Sequence, residues 1–221
     1  VLLVSEAERA ALARRAPGAD LRVVPNGVDL GELDPARFPA APDPGVLVFC
    51  GAMDYIANVD AVVWFHDEVL PLVRREFPDV RFRIVGAEPA RAVRRLARTP
   101  GVEVTGAVPD VRPAIASAGV SVAPLRLGRG VPNKVLEALA LSLPVVTTPN
   151  GAAGLDLAAF PGADVADGRE AFARAVVRRM RDAADGKARF PEHRALLAER
   201  YDWEKSMAAI REAVAPGGGP P

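Results

Sequence analysis

The chain contains few of the residues that build metal sites and disulfides. Its 221 residues include a single cysteine, Cys50, and two histidines, His66 and His193. One cysteine excludes a disulfide within the chain, and histidines this scattered do not give a zinc-binding spacing. We therefore expect no metal cofactor, and we interpret these three residues as structural.

The chain also lacks an excess of either charge and a long apolar run. Its 28 Lys and Arg residues balance 28 Asp and Glu residues, which argues against a general nucleic-acid binder. The apolar run at 135–146 is interrupted by Glu137 and Pro144 and is too short for a transmembrane segment. The chain begins at Val1 with no signal-peptide pattern. We expect a fragment of a cytoplasmic protein with a small ligand.

Apolar strands and helices alternate regularly in the middle of the chain. Strands are predicted at 46–50, 81–85, 102–105, 120–124 and 144–147, and helices at 59–77, 89–98, 111–117 and 133–141. Continuously apolar strands that alternate with helices are typical of a parallel sheet covered on both faces. The predicted fold class is therefore α/β, with a doubly wound, Rossmann-like parallel sheet.

The two ends of the chain follow a different pattern. Residues 1–29 contain two short strands and a helix that begins with a capping box, and residues 30–45 are predicted to be a linker rich in Pro, Asp and Ala. Amphipathic helices are predicted at 170–183 and 204–214, and residues 216–221 form a tail of Pro and Gly that we expect to be disordered.

A doubly wound sheet binds its ligand where the strand order reverses, outside the carboxyl ends of the strands. The reversal is expected between strands 46–50 and 120–124. The loops that follow these strands, 51–60 and 125–133, are rich in turn residues. Both loops should therefore line one crevice.

The segment RLGRGVPNK at 126–134 has the composition of an anion site. It holds two glycines, three basic residues and an asparagine: Gly128, Gly130, Arg126, Arg129, Lys134 and Asn133. Glycine permits close backbone approach, and an asparagine N-cap would begin a helix whose free N–H groups bind anions. The basic residues suit a diphosphate, and Glu137, one turn into the helix, suits the hydroxyls of a ribose.

Each of these residues also has a structural interpretation. Arg126 and Lys134 can be solvated side chains at the start of a helix, and Arg129 can lie at the rim of a cleft. Glu137 can be an ordinary surface acid, and Gly51 can be a turn glycine at the end of a strand.

The ordered series of motifs resembles the donor half of a retaining glycosyltransferase of family 4, which has two Rossmann-like domains (GT-B type). The series includes GAMDYIANVDAVVWF, FRIVG, VEVTGAVPDVRPAIASAGVSVAPL and PNKVLEALALSLPVVTTP, and within the family it is most similar to exopolysaccharide-associated sugar transferases. The resemblance implies that 46–200 bind the donor, that 1–29 include the interdomain crossover, and that 201–215 form a helix returning toward an N-terminal acceptor domain that precedes Val1.

The resemblance also implies an activity. With its acceptor domain, such a chain transfers sugar from a UDP- or GDP-sugar to a hydroxyl of a glycan or lipid-linked sugar, with retention, and associates peripherally with membranes through that domain. The isolated fragment should be inactive. Glu137 matches the second acid of the Glu-x7-Glu motif, which holds the ribose. The first acid is replaced by Arg129, and the first loop lacks the usual basic pair, so Arg129 and Lys134 are expected to stabilise the leaving diphosphate.

The predicted substrate-binding set has ten members: Gly51, Val108, Arg126, Arg129, Gly130, Val131, Asn133, Lys134, Val135 and Glu137. Base recognition is expected from backbone groups near 104–111. Two other functions are consistent with the same predicted site: a sugar-nucleotide 2-epimerase and a non-catalytic nucleotide-sugar binding domain. A dehydrogenase is disfavoured because no G-x-G-x-x-G follows the first strand.

Overall fold

The computed structural model describes residues 1–127 and 131–214, apart from the side chains of Ala7 and Val214. Within these ranges the strands are β1 (Leu2–Leu3), β2 (Arg22–Val23), β3 (Asp43–Cys50), β4 (Arg81–Val85), β5 (Val102–Val104), β6 (Ala118–Ala123), β7 (Val145–Thr147) and β8 (Ala163–Val165). The α-helices are α1 (Glu6–Ala13), α2 (Ile56–Trp64), α3 (Leu70–Val73), α4 (Arg91–Leu96), α5 (Arg112–Ala116), α6 (Asn133–Ala140), α7 (Arg169–Ala184), α8 (Glu192–Arg200) and α9 (Trp203–Val214).

The main sheet has six parallel strands in the order β5-β4-β3-β6-β7-β8. β3 and β6 are neighbours at its centre, with Leu47 opposite Val120. The chain winds from β3 to one edge and then returns to β6 and winds to the other edge. The predicted α/β, Rossmann-like fold with a strand-order reversal between β3 and β6 is confirmed.

Hydrophobic cores cover both faces of this sheet because β3 is apolar at successive positions. Leu47 and Phe49 point toward α2 and α7, whereas Val46 and Val48 point to the other face, where α6 packs. The first core is rich in aromatic rings, among them Phe65 and Phe82 with centroids 4.6 Å apart. Burial on both faces explains why the second half of β3 lacks polar alternation.

The helix after β3 is interrupted, although the sequence predicts one continuous helix at 59–77. A π turn at Phe65–Val69 separates α2 from α3, and the N–H of Leu70 donates to the carbonyl of Phe65. Pro71 explains the interruption, because its ring crowds the carbonyl one turn earlier and it has no N–H to continue the α-helical ladder. The wider turn relieves that crowding while Phe65 and Val69 stay buried.

Other elements differ from the sequence prediction at their boundaries or were missed. The segment predicted as a linker contains a 3-10 turn at Pro35–Arg37, and β3 begins three residues early, at Asp43. Two elements near the C-terminal end were not predicted, β8 and α8. β8 has three residues and a charged centre, so it carries no strand pattern, and α8 buries only His193 and Leu197.

The N-terminal segment packs against the start of α9. The N–H of Val28 donates to the carbonyl of Tyr201 at 2.9 Å, and Ser206 Oγ donates to the carbonyl of Pro25 at 2.8 Å. A Cβ at Gly27 would lie 2.5 Å from the Cα of Trp203, so only glycine permits this approach. Among the described residues, no helix combines the length and apolar character needed to cross a bilayer.

His193 is a buried structural residue, as the sequence analysis expects. It is fully buried, stacks on Phe190 with ring centroids 5.3 Å apart, and contacts the carbonyl oxygen of Pro161 through Nε2. Burial lowers its pKa below the ordinary histidine value. The folded state therefore holds His193 neutral at pH values where the unfolded chain would protonate it.

This burial predicts a loss of stability in mild acid. Since the unfolded-state pKa is about 6.5 and the folded-state pKa lies below it, lowering the pH from 7 to 5.5 should reduce the free energy of unfolding through His193. Urea unfolding at both pH values measures the change, and His193→Gln should show a smaller pH dependence than the native chain. An equal pH dependence would mean that His193 does not cause it.

Candidate functional site

A cavity of about 570 Å³ lies at the carboxyl ends of the central strands. The loops after β3, β4 and β6 and the first turn of α6 enclose it, through residues that include Gly51, Asn58, Gly86, Leu125, Lys134 and Glu137. This is the crevice that the strand-order reversal predicts.

Lys134 is fixed in this cavity by groups from β3 and α2. Its Nζ donates to Oδ1 of Asn58 at 2.5 Å and lies 4.0 Å from the ring centroid of Phe49. Asn58 is 7% exposed, and its Nδ2 donates to the carbonyl of Ala52 at 2.8 Å. The amide of Asn58 is therefore fixed by the loop through its nitrogen, and its oxygen orients the side chain of Lys134.

Asn58 was not among the predicted site residues. The signal was present, because Asn58 is a polar residue in the first turn of a mostly apolar helix. A buried amide needs partners for both of its polar atoms. Its two partners, Ala52 and Lys134, come from different segments of the chain, so the pairing cannot be deduced from local sequence.

The cavity disfavours uncompensated charge. Burial lowers the pKa of Lys134 to about 8, an effect that the nearby Cys50 and Glu137 oppose. Burial also raises the pKa of Glu137, and Lys134 counteracts this. The Cys50 thiol has its pKa raised to about 11, mainly by burial, so it is a neutral thiol and not a nucleophile at pH 7. An anion bound beside Lys134 would restore the preference of the lysine for its charged form.

Two glycines allow the ends of β3 and β4 to meet at the cavity. The N–H of Gly51 donates to the carbonyl of Val85 at 3.0 Å. A Cβ at Gly51 would lie 2.7 Å from Nδ2 of Asn58 and 3.0 Å from Nζ of Lys134. Gly86 has φ +154°, and its Cβ would lie 1.8 Å from the carbonyl oxygen of Gly51. Gly51 therefore leaves space for the hydrogen-bonded side chains of Lys134 and Asn58. Gly86, which was not among the predicted site residues, leaves space for the carbonyl group of Gly51.

A second cavity of about 460 Å³ adjoins the first. Val111, Asn133 and Glu137 line both, and Val108 lines the second. Glu137 is half-buried at the junction, and no side chain within residues 1–127 and 131–214 donates a hydrogen bond to its carboxylate. The two cavities therefore lie side by side, and they are together named the cleft.

The structure places two predicted site residues differently from expectation. Arg126 does not line the cleft. Its guanidinium forms an ion pair with Asp60 at 2.5 Å and lies 5.4 Å from the ring centroid of Trp64. Asn133 is not the N-cap of α6, because Pro132 occupies that position. Instead, Asn133 Oδ1 accepts a hydrogen bond from Nδ2 of Asn26 at 2.9 Å, and the residue lines both cavities.

The remaining predicted residues divide into three groups. Val131 lines the first cavity. Val135 is fully buried and packs in the core beneath α6, so its side chain cannot contact a ligand in the cleft. Arg129 and Gly130 lie outside the described residues. In the part of the chain that the structure describes, no three His, Cys, Asp or Glu side chains are grouped to hold a metal ion.

Comparison with solved structures shows the same fold in a glycosyltransferase and in proteins solved with UDP. S. aureus TarM, solved with fondaparinux, alpha-GlcNAc-glycerol and UDP, superposes with a TM-score of 0.76 at 14% identity, over 98% of this chain and 44% of that one. WaaG, a glycosyltransferase involved in lipopolysaccharide biosynthesis, gives 0.71 at 14% identity, over 97% and 62%. Anabaena Alr3699/HepE, in complex with UDP and glucose, gives 0.72 at 15% identity, over 97% and 62%.

The chain spans less than two thirds of the length of these proteins. No curated protein sequence matches it. A comparison with protein families matches residues 44–182, more than half of the chain, to the family described as Glycosyl transferases group 1. The fold is that of the C-terminal half of GT-B glycosyltransferases, and the chain belongs to the glycosyl transferases group 1 family.

Proposed function

We propose that this chain binds the nucleotide diphosphate sugar donor of a glycosyl transfer reaction. The observation that carries the proposal is Lys134, a cation fixed beside the first turn of α6 in a cavity at the strand-order reversal. Helix N-termini and fixed cations bind phosphates strongly. Among the described residues, the backbone N–H groups of Asn133 and Lys134 are not used by the α6 ladder.

The cleft accommodates the parts of such a donor in order. The diphosphate would lie against Lys134 and the first turn of α6. The ribose would donate its hydroxyls to the carboxylate of Glu137 at the junction of the cavities. The base would then enter the second cavity, where Val108 and Val111 offer apolar contact and backbone groups. The first cavity leaves room for the sugar.

The reaction proposed is transfer with retention. The bond between the anomeric carbon and the diphosphate oxygen breaks, its electron pair stays on that oxygen, and the acceptor hydroxyl attacks from the same face while losing its proton. Lys134 would stabilise the negative charge that develops on the departing diphosphate. Glu137 is the single carboxylate lining the first cavity within the described residues, so the deprotonating group is expected to be the departing phosphate itself or a residue outside this chain.

The neighbours support a narrower proposal. HepE is described in complex with UDP and glucose, and WaaG acts in lipopolysaccharide biosynthesis. We propose a UDP-sugar as the donor and a cell-surface glycan, such as an exopolysaccharide, as the product. Since the chain spans part of these relatives, the acceptor would be bound by a second domain, and the activity would require both.

Calorimetric titration tests the donor proposal directly. The chain should bind at least one of UDP, GDP and ADP, with UDP the tightest, and should transfer no sugar by itself. Circular dichroism verifies that the protein used is folded. If folded protein binds none of the three nucleotides, the donor-site assignment is wrong.

A further inference from the structure

A row of arginines covers the outer face of α4 and of the turn that follows it. Arg91, Arg94, Arg95 and Arg98 follow the spacing i, i+3, i+4 and i+7, which places them on one side of a helix. All four are exposed, and the opposite side of α4 buries Val93 and Leu96 in the core. The four side chains, here named the α4 arginine face, surround a shallow concavity of about 440 Å³.

The α4 arginine face carries unneutralised charge. Among the described residues, no carboxylate lies within 4.0 Å of any of its guanidinium groups, and Arg94 donates only to the carbonyl of Pro89. Several exposed arginines elsewhere are paired, for example Arg169 with Glu68 and Arg200 with Asp156. Like charges at i+3 and i+4 destabilise a helix. A chain with zero net charge thus concentrates four uncompensated positive charges at one place.

The composition of the face indicates the kind of partner. Nucleic-acid binding surfaces interleave aromatic residues with basic ones, and specific peptide docking needs apolar anchors. The residues between the arginines are small or already buried, with only Ala92 and Ala97 exposed. A row of flexible cations without anchors suits a fluid surface whose anionic groups rearrange around them.

We propose that the α4 arginine face docks on the anionic headgroups of a lipid bilayer. The face lies near the first cavity, because the loop that leads from β4 into α4 includes Gly86 and Ala87, which line that cavity. Docking through α4 would hold the mouth of the cleft close to the membrane. The inference does not depend on which donor the cleft binds.

Vesicle sedimentation tests the proposal. The chain should bind vesicles of phosphatidylcholine with 30% phosphatidylglycerol at 50 mM NaCl, and binding should fall steeply at 300 mM NaCl because the attraction is screened. Each basic residue near an anionic surface raises partitioning about fivefold, so replacing all four arginines with glutamine should lower it by nearly three orders of magnitude, about 600-fold.

A matched variant distinguishes the contribution of the α4 arginine face to vesicle binding from that of the overall charge. Replacing Arg169, Arg178, Arg181 and Arg200 with glutamine removes the same charge from paired positions and should leave most of the binding. Equal loss in both variants, or no binding of native chain to anionic vesicles at 50 mM NaCl, overturns the proposal. Binding to soluble polyphosphate but not to vesicles also overturns it and identifies a soluble polyanion as the partner.

Discussion

Replacing Lys134 with alanine is expected to weaken UDP binding by about tenfold to hundredfold and to leave uridine binding nearly unchanged. The substitution removes the cation that Asn58 and Phe49 fix in the first cavity. A charge-assisted hydrogen bond in such a site contributes roughly 1.5 to 3 kcal/mol. In the proposed arrangement the base and ribose do not contact the lysine, so only a ligand with phosphates should respond. Isothermal titration with both ligands measures the difference.

Glu137→Gln provides the contrasting variant. Ribose hydroxyls are common to UDP and uridine, so loss of the carboxylate at the junction of the cavities should weaken both ligands alike. Circular dichroism must show that each variant is folded. If Lys134→Ala weakens uridine as much as UDP, the first turn of α6 does not hold the phosphates.

The pH dependence of UDP binding reports on the same lysine. Burial lowers its pKa to about 8, so the ammonium form is lost as the pH rises from 7 to 9. Since phosphate binds the charged form, UDP affinity should fall over this interval and proton uptake should accompany binding near pH 8. Lys134→Ala should abolish both effects, and their persistence in the variant would assign them to another group.

Gly86→Ala is expected to destabilise the fold and to abolish UDP binding. Its Cβ would lie 1.8 Å from the carbonyl oxygen of Gly51, which belongs to the backbone and cannot rotate away. The ends of β3 and β4 must then separate, which displaces the backbone at Gly51 that packs against Lys134 and Asn58. Together with the strain of a backbone conformation that favours glycine, the loss should be about 3 kcal/mol in the free energy of unfolding. Urea denaturation measures it.

Gly186→Ala is the matched control. Gly186 also has a positive φ, of +84°, but nothing lies within 4 Å of the position its Cβ would take, and it lines neither cavity. Its substitution should cost only the conformational strain, about 1 kcal/mol, and should retain UDP binding. Similar losses in the two variants would show that close contact with Gly51 is unimportant.

The architecture was predictable because its signals are local. The strands β3, β6 and β7 are short, mostly apolar runs buried on both faces, and the strand-order reversal follows from the doubly wound pattern. The parts that were missed depend on distant contacts. β8 is recognisable only by its pairing with β7, and the π turn depends on how Pro71 is accommodated above a buried phenylalanine.

The site was predictable in part for the same reason. Residue types and spacing identify Lys134 and Glu137, which the structure places in one cleft. Spacing cannot reveal which cations are already paired, so the engagement of Arg126 by Asp60, 66 residues away, is visible only in the fold. Asn58 is the converse, a residue without a motif that becomes relevant because folding places it against Lys134.

The hydrogen bond between Lys134 and Asn58 increases the affinity that the cleft can have for a ligand. An ammonium group has three N–H donors, and Asn58 Oδ1 accepts one of them, so two are left for phosphate oxygens. The amide therefore does not have to be displaced when a diphosphate arrives. Ordering a free lysine side chain costs up to about 2 kcal/mol of rotamer entropy. Here that loss is incurred when the protein folds, so the cleft is preorganised and the entropy does not oppose binding.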